Sequence, residues 1–340
     1  MFGLGWLRAL TDARGLLEHA HHGVPRLGEG YTTDDNARAL LYLSLLPEGA
    51  RDEGLVRTYL AFLLHMQKED GRFRNGLTLD GRFEYEGGAE DPTGRAVLAL
   101  AAAPRLPPPY AGPAREALLR ALPALEGFTS LRGRAYALLG LLALPKEPFL
   151  EAAEALGEGL LRAFREAEPA WPFPGPLTYA NHRPVEALYA YGLAFRRQEA
   201  VALARRALAF LKEHYFTPGE EGLFFDPVGN RFMARGRDKP LFDQQPIEAK
   251  CALLAHLRFG ERVLAEVAFL WFHGRNRLRA PLVDAFGPMD GLTPHGPNQN
   301  RGAEALLAYL LAWQALVQGV FPQVDEGVAL GRVFALGGRP

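Results

Sequence analysis

Polar and apolar positions alternate with helical spacing along nearly the whole chain, and two kinds of helical run take turns. One kind is apolar almost all round and rich in alanine: DDNARALLYLSLL, EDPTGRAVLALAAA, SLRGRAYALLGLLAL, NHRPVEALYAYGLAF, DQQPIEAKCALLAHL and NQNRGAEALLAYLLAW. A helix of that composition is buried on every side. The other kind is amphipathic and more charged, expected over about 4–20, 53–67, 113–126, 147–166, 197–214 and 260–274. Sustained period-2 alternation is missing, although LFFDPVGNRFMAR near 223 suits a short hairpin.

The six apolar runs align on a charged residue followed by alanine: Arg38, Arg95, Arg134, Glu186, Glu248 and Glu304, spaced 39 to 62 residues apart. A repeat of that length holds two helices and two loops. Six inner and six outer helices predict an all-α fold, an (α/α)6 toroid of six helical hairpins forming a single domain over 1–340. In a six-fold ring, Arg faces Glu across each diameter. The expectation is that these six residues floor a cup, paired across the ring or with neighbouring helices, with Arg95 the one most readily turned toward a substrate.

Loops entering the inner helices are long and carry Gly, Pro, Asn, Asp and aromatic residues; those leaving are short. One face of the toroid therefore gathers the irregular chain, where function concentrates, beside the positive ends of the inner helices. The residues predicted to converge there are Asp34, Asp35, Glu90, Asp91, Ser130, Asn181, His182, Asp243, Gln244, Gln245, Asn298 and Asn300, with Tyr31, Phe83, Tyr85, Trp171, Phe173, Tyr179 and Phe242. Carboxylates and amides suit sugar hydroxyls, and aromatic faces suit pyranose rings. Several have plainer readings. Asp91-Pro92 and Asp243 read as helix caps, and His182 as a structural histidine. Asp34 and Asp35 cannot both cap one helix, so one is expected to cap and the other, Asp35, to point into the cup.

Composition narrows the function classes. A formal charge of −1 gives no surface for nucleic acid or an anionic membrane. The single cysteine, Cys251, excludes an internal disulfide and a cysteine zinc site, and its apolar setting reads as packing. His19, His21 and His22 cluster without a metal-binding spacing, and no HExxH, EF-hand or P-loop pattern occurs. No apolar run reaches the roughly 18 residues that span a bilayer. The opening MFGLGWLRALTDARG is unlike a signal peptide, so a cytoplasmic location is expected.

The segments HGVPRLGEGYTTDDNARAL (22–40), AEDPTGRAV (89–97), FDQQPIEA (242–249) and NQNRGAEA (298–305) resemble those of the six-hairpin glycosidase-like (α/α)6-barrel superfamily. Within it they resemble a bacterial set found alone or joined to glycosyltransferases. The resemblance implies a sugar-processing protein, with an oligosaccharide or glycoconjugate substrate and a glycosyltransferase as candidate partner; general acid–base chemistry there needs no cofactor, and no metal is expected. The favoured reaction is glycoside hydrolysis. Glu90 or Asp91 would be the acid and Asp34, Asp35 or Asp243 the base. Tyr31, Asn36, Arg95, Tyr179, Asn181, His182, Gln244, Gln245, Asn298 and Asn300 would hold hydroxyls. A sugar epimerase using His182 and His295, and a non-catalytic glycan-binding domain, are the alternatives.

Overall fold

The computed structural model describes residues 3–84, 89–144 and 146–320. In chain order its helices are α1 (Gly3–Ala9), α2 (Thr33–Leu45), α3 (Glu53–Met66), α4 (Glu90–Leu100), α5 (Pro108–Leu125), α6 (Leu131–Leu141), α7 (Phe149–Arg165), α8 (His182–Ala194), α9 (Gln198–Tyr215), α10 (Pro246–Arg258), α11 (Arg262–Leu270) and α12 (Ala303–Gln318). The even-numbered helices form the inner ring. Each packs on the next, and α12 packs back on α2 to close it. The odd-numbered helices lie outside, with α3, α5, α7 and α9 packed in sequence. The fold is the (α/α)6 toroid that the repeat predicts, and all six charged–alanine pairs lie on inner helices.

Composition explains which helix goes inside. On α12 nearly every position from Ala303 to Leu316 is buried, whereas α9 buries one stripe, including Ala200, Ala204, Ala207, Leu208 and Leu211. Small residues set the spacing between the rings. A Cβ on Gly157 of α7 would sit 2.1 Å from the Tyr191 ring of α8, so the outer helix rests on that ring directly.

Three elements differ from expectation. The first outer helix ends at Ala9 rather than near residue 20. The Asp12 carboxylate accepts the Arg14 and Gly15 amides in a tight turn, and Asn36 then grips the Leu16 backbone through both its amide ends. Residues 16–21 consequently run extended along the cup's mouth, with Leu17 bridged to Tyr31. Helix α5 begins at Pro108 rather than 113, since proline is tolerated in a first turn. Strand Gly222–Phe225 forms its hairpin with Phe216–Gly219 on its N-terminal side, not with the chain after it. Among the described residues no helix is long and apolar enough to cross a membrane.

Candidate active site

The loop GYTTDD delivers the first carboxylates. Thr32, not either aspartate, is the N-cap of α2: its hydroxyl accepts the Asp35 amide at 3.2 Å and donates to Asp35 Oδ2 at 3.0 Å. This cap, in which both bonds run through the Thr32 hydroxyl, corrects the expectation that one aspartate caps. It also reverses their orientation. Asp35 is the braced residue, with Oδ1 held 2.5 Å from Arg38 Nη1 and its side chain 4% exposed. Asp34 is the open one, its side chain 23% exposed. Its Oδ1 lies 3.4 Å from Arg95 Nε yet accepts no hydrogen bond. Burial pushes the Asp34 carboxyl up to about 6, against the pull of Arg38.

Both aspartates line a cavity of about 480 Å³ between the ends of α2, α10 and α12. Gln245, Asn298 and Asn300 line it too, so five of the sequence-predicted site residues meet there. Asn298 Oδ1 accepts the Asn300 amide and Asn300 Oδ1 accepts the His22 amide, which fixes the last loop before α12.

The same cavity contains Arg38 and Glu304, expected on the floor of the cup, and His19, together with groups that sequence reasoning passed over: Glu18, Asp290 and Arg26. Glu18 sits there because its backbone is pinned: its amide donates to Gly30 O and its carbonyl accepts the amide of Ala303, the first residue of α12. Burial, reinforced by the charges of Asp35 and Asp34, pushes its carboxyl up to about 8. Asp290 accepts the Gly302 amide at 2.5 Å, and burial raises its carboxyl as well. Glu304 reaches Arg38 Nη2 at 3.2 Å, so the charged pair of the first and last repeats joins neighbouring helices.

Other predicted site residues are engaged elsewhere. Glu90 Oε2 accepts the Thr129 and Ser130 amides at 2.7 and 2.5 Å and so ties α4 to the start of α6. Asp91 is not a cap: the cap position of α4 is Ala89, and Asp91 binds Ser130 Oγ, Arg132 Nε and the Tyr179 hydroxyl. Ser130 itself caps α6 through the Gly133 amide. Tyr31 is buried and donates to Asp12, and Asn36 clamps Leu16. Asn181 holds the Thr178 amide and the Tyr215 hydroxyl. Gln244 bridges Asp226 and the Trp271 indole, while Asp243 is exposed and leaves the cap of α10 to Gln245.

His182 is fully buried, edge-on to Tyr215 at 4.8 Å and 5.7 Å from the His256 ring, and burial holds it well below the usual imidazole range. His295 is exposed on the hairpin turn at 291–298. The two do not face each other across the cup.

The aromatic platforms are also placed differently. Trp171 and Phe173 are core residues, Phe242 packs partly buried, Phe83 lies beneath Arg74, and Tyr179 stacks under Arg132 at 3.9 Å. Tyr85 lies outside the described residues.

Below the cavity the ring's inward register is not the one that the charged–alanine alignment implied. Arg134 turns outward to carbonyls of Phe128 and of Gly159 on α7. Glu186 serves two arginines, Arg183 at 2.5 Å and Arg258 at 3.0 Å, and Glu248 accepts the Ala180 amide. Burial pushes Glu248 up to about 8. Among the described residues no charged pair spans a diameter. Among the described residues, no group of three or more His, Cys, Asp or Glu side chains is arranged to hold a metal ion.

No protein-family model matches the chain, and no curated protein matches it. Solved structures do. A D-mannose isomerase superposes with a TM-score of 0.69 at 9% identity over 93% of this chain and 95% of that one. The cellobiose 2-epimerase of Spirochaeta thermophila gives 0.64 at 15% identity, over 98% and 94% of the two chains. A GH76 α-mannanase of Bacteroides thetaiotaomicron gives 0.60 at 11%, over 98% and 95%. At such identities the likeness is one of fold: the chain has the six-hairpin, glycosidase-like (α/α)6 architecture of these proteins.

Proposed function

We propose that the protein is a carbohydrate-active enzyme, and specifically a glycoside hydrolase acting on an oligosaccharide or glycoconjugate with Glu18 as general acid and Asp34 as general base. The broader statement draws support from the three solved neighbours, whose names describe an isomerase, an epimerase and a hydrolase of sugars. The narrower one is carried by a single observation. Two carboxyl groups in one cavity are pushed to different acidities, Glu18 to about 8 and Asp34 to about 6. Environments that separate two such groups assign an acid and a base. Between these values Glu18 is protonated and gives its proton to the leaving glycosidic oxygen, while Asp34 is ionised and takes one from the attacking water. The amides of Gln245, Asn298 and Asn300 and the Arg26 guanidinium line the walls that would receive sugar hydroxyls.

The test is a screen of mannose-, glucose- and galactose-based oligosaccharides, read both for new reducing ends and for altered stereochemistry without cleavage. New reducing ends, lost in Asp34→Asn and Glu18→Gln, support hydrolysis. Epimerised but uncleaved product overturns it. Tight binding without turnover overturns it in favour of a glycan-binding domain.

A further inference from the structure

Beneath the cavity, five consecutive inner helices each contribute one polar side chain to the middle of the ring: Arg38 from α2, Arg95 from α4, Tyr136 from α6, Arg183 from α8 and Lys250 from α10. All five are buried. The Arg95 guanidinium lies over the Tyr136 ring at 4.6 Å and that of Arg183 at 5.7 Å. Tyr136 also feels Arg38 from across the ring. Burial, reinforced by the charges of Arg183 and Arg38, pushes the Lys250 ammonium down to about 8, and Asp34 feels Lys250 in turn. Arg38, Arg95 and Lys250 therefore lie close to the proposed base, and Tyr136 links Arg95 to Arg183.

What they share chemically is a surplus of donors. Among the described residues no acceptor hydrogen-bonds Arg38 Nε, Arg95 Nη1, Arg183 Nε or the Tyr136 hydroxyl, and Arg95 Nε has only the Asp34 carboxylate at 3.4 Å, outside hydrogen-bond geometry. Buried polar groups in folded proteins are satisfied by protein, water or ligand, and unmet donors this concentrated call for an acceptor-rich group. Two unmet acceptors lie nearby, Asp34 Oδ1 and Glu248 Oε2. Asp34 offsets one charge as the 3.4 Å ion-pair partner of Arg95 Nε, but the two do not cancel the surplus. Glu248 is pushed up to about 8 and so carries a proton at neutral pH, whereas a guanidinium cannot shed its charge. Glu186, moreover, is already divided between Arg183 and Arg258.

We propose that the floor of the cup accepts an anionic oxygen group carried by the sugar, a carboxylate or a phosphate, held by Arg95, Arg183 and Lys250 with the Tyr136 hydroxyl. This rests on the reading of the cup as a carbohydrate site and narrows its substrate class to acidic or phosphorylated sugars. Planar guanidinium forks and an ammonium are the donors that such groups select.

Calorimetric titration of the intact protein tests it without requiring turnover. Glucuronate, glucose 6-phosphate and inorganic phosphate are compared with glucose, in low and high salt. At least one anionic sugar is expected to bind about tenfold or more tighter than glucose, with the preference shrinking in salt; whether carboxylate or phosphate wins identifies the source of the anion. Lys250→Met, which keeps the stem and removes the charge, should weaken the anionic sugar by about 10- to 100-fold, a charged hydrogen bond's worth, and leave glucose unchanged. Lys250→Arg should restore most of the loss. The proposal is overturned if neither anionic sugar binds tighter than glucose, including if neither binds, or if Lys250→Met binds it as wild type does. Because binding alone is read, hydrolysis of neutral glycans with no anion preference defeats this inference and spares the hydrolase reading. Tight anion binding without cleavage does the reverse.

Discussion

Replacing Asp35 by asparagine tests whether the second aspartate of GYTTDD is structural. Its carboxylate and the Arg38 guanidinium are 2.5 Å apart with side chains only 4% and 7% exposed. The pair thus belongs with buried ion pairs, not with surface pairs worth about 0–1 kcal/mol. An asparagine has one oxygen, which cannot both accept from Arg38 and receive the Thr32 hydroxyl. Arg38 Nε already lacks an acceptor, and its remaining partner, Glu304, is 3.2 Å away and half-exposed. Stranding a buried charge in this way costs about 3–5 kcal/mol. With an unfolding entropy of about 2.1 cal/mol/K per residue, a chain of this length loses roughly 4–7 °C in Tm. Burial also pushes Asp35's own carboxyl upward against Arg38, so part of the pair's attraction is spent on desolvation. The cost of the single change should therefore reside in the orphaned arginine, and the double variant Asp35→Asn/Arg38→Met should melt above Asp35→Asn alone. Scanning calorimetry at pH 7 measures wild type, Asp35→Asn, Arg38→Met and the double variant. A single-variant loss under about 1 °C, or a double variant that melts at the sum of the two single losses, would refute the reasoning.

Three further outcomes follow from the same geometry. Asp34→Asn should lower turnover about 10²–10⁴-fold without lowering Tm at pH 7. Its raised carboxyl disfavours the folded state fully above pH 6 and not at all below about 3.8, so any stabilisation by this variant should fade between pH 6 and pH 4, and a Tm loss at pH 7 counts against the assignment. The rate profile of the wild type should be bell-shaped, with limbs near 6 and 8; Glu18→Gln should abolish the alkaline limb and spare substrates whose aryl leaving group needs no proton, so equal losses on both substrate types would exclude Glu18 as the acid. Gly157→Ala drives a methyl into Tyr191 and should cost about 1–3 kcal/mol, seen as a lower Tm; an unchanged Tm would mean that α7 does not rest on α8 as described.

The toroid was legible because burial on all sides leaves a mark that needs no partner: alanine- and leucine-rich runs with hardly a polar face, alternating with one-striped helices. The inward register was not. Aligning on the charged residue before alanine selects Arg134, Glu186 and Glu248, yet the side chains that meet inside the ring are Tyr136, Arg183 and Lys250. The aligned residue is the sixth of α2 and α4, the fourth of α6, the third of α10 and the second of α12. A helix entered at a different depth presents a different residue to the axis, and that depth is set by the packing of the preceding loop. The overlong first outer helix has a related cause. The apolar spacing of LLEHA continues past Asp12, but the Asp12 turn and the Asn36 clamp make competing hydrogen bonds that no periodicity reveals.

The two aspartates themselves show where local reasoning stops. Thr32-Thr33-Asp34-Asp35 contains the threonine-x-x-acid spacing of a capping box, and on that spacing alone Thr32 could have been assigned the cap and Asp35 its reciprocal brace. Asp34 is then the residue with no local task, and a carboxylate without one, at the rim of a cavity, is held there at a cost to its ionisation. Its counterpart was beyond reach of any such pattern. Glu18 is brought into the same cavity by backbone bonds to Gly30 and to Ala303, nearly the full chain away, and its acidity is set first by burial and then by the charges of Asp35 and Asp34. Charge on the pair thus suppresses ionisation of the third carboxyl. Neutralising Asp34 should therefore also lower the pKa read at Glu18, and the alkaline limb of any residual activity in Asp34→Asn should move toward lower pH. A limb that stays near 8 would mean that the two groups do not sense one another and that the cavity holds no acid–base pair.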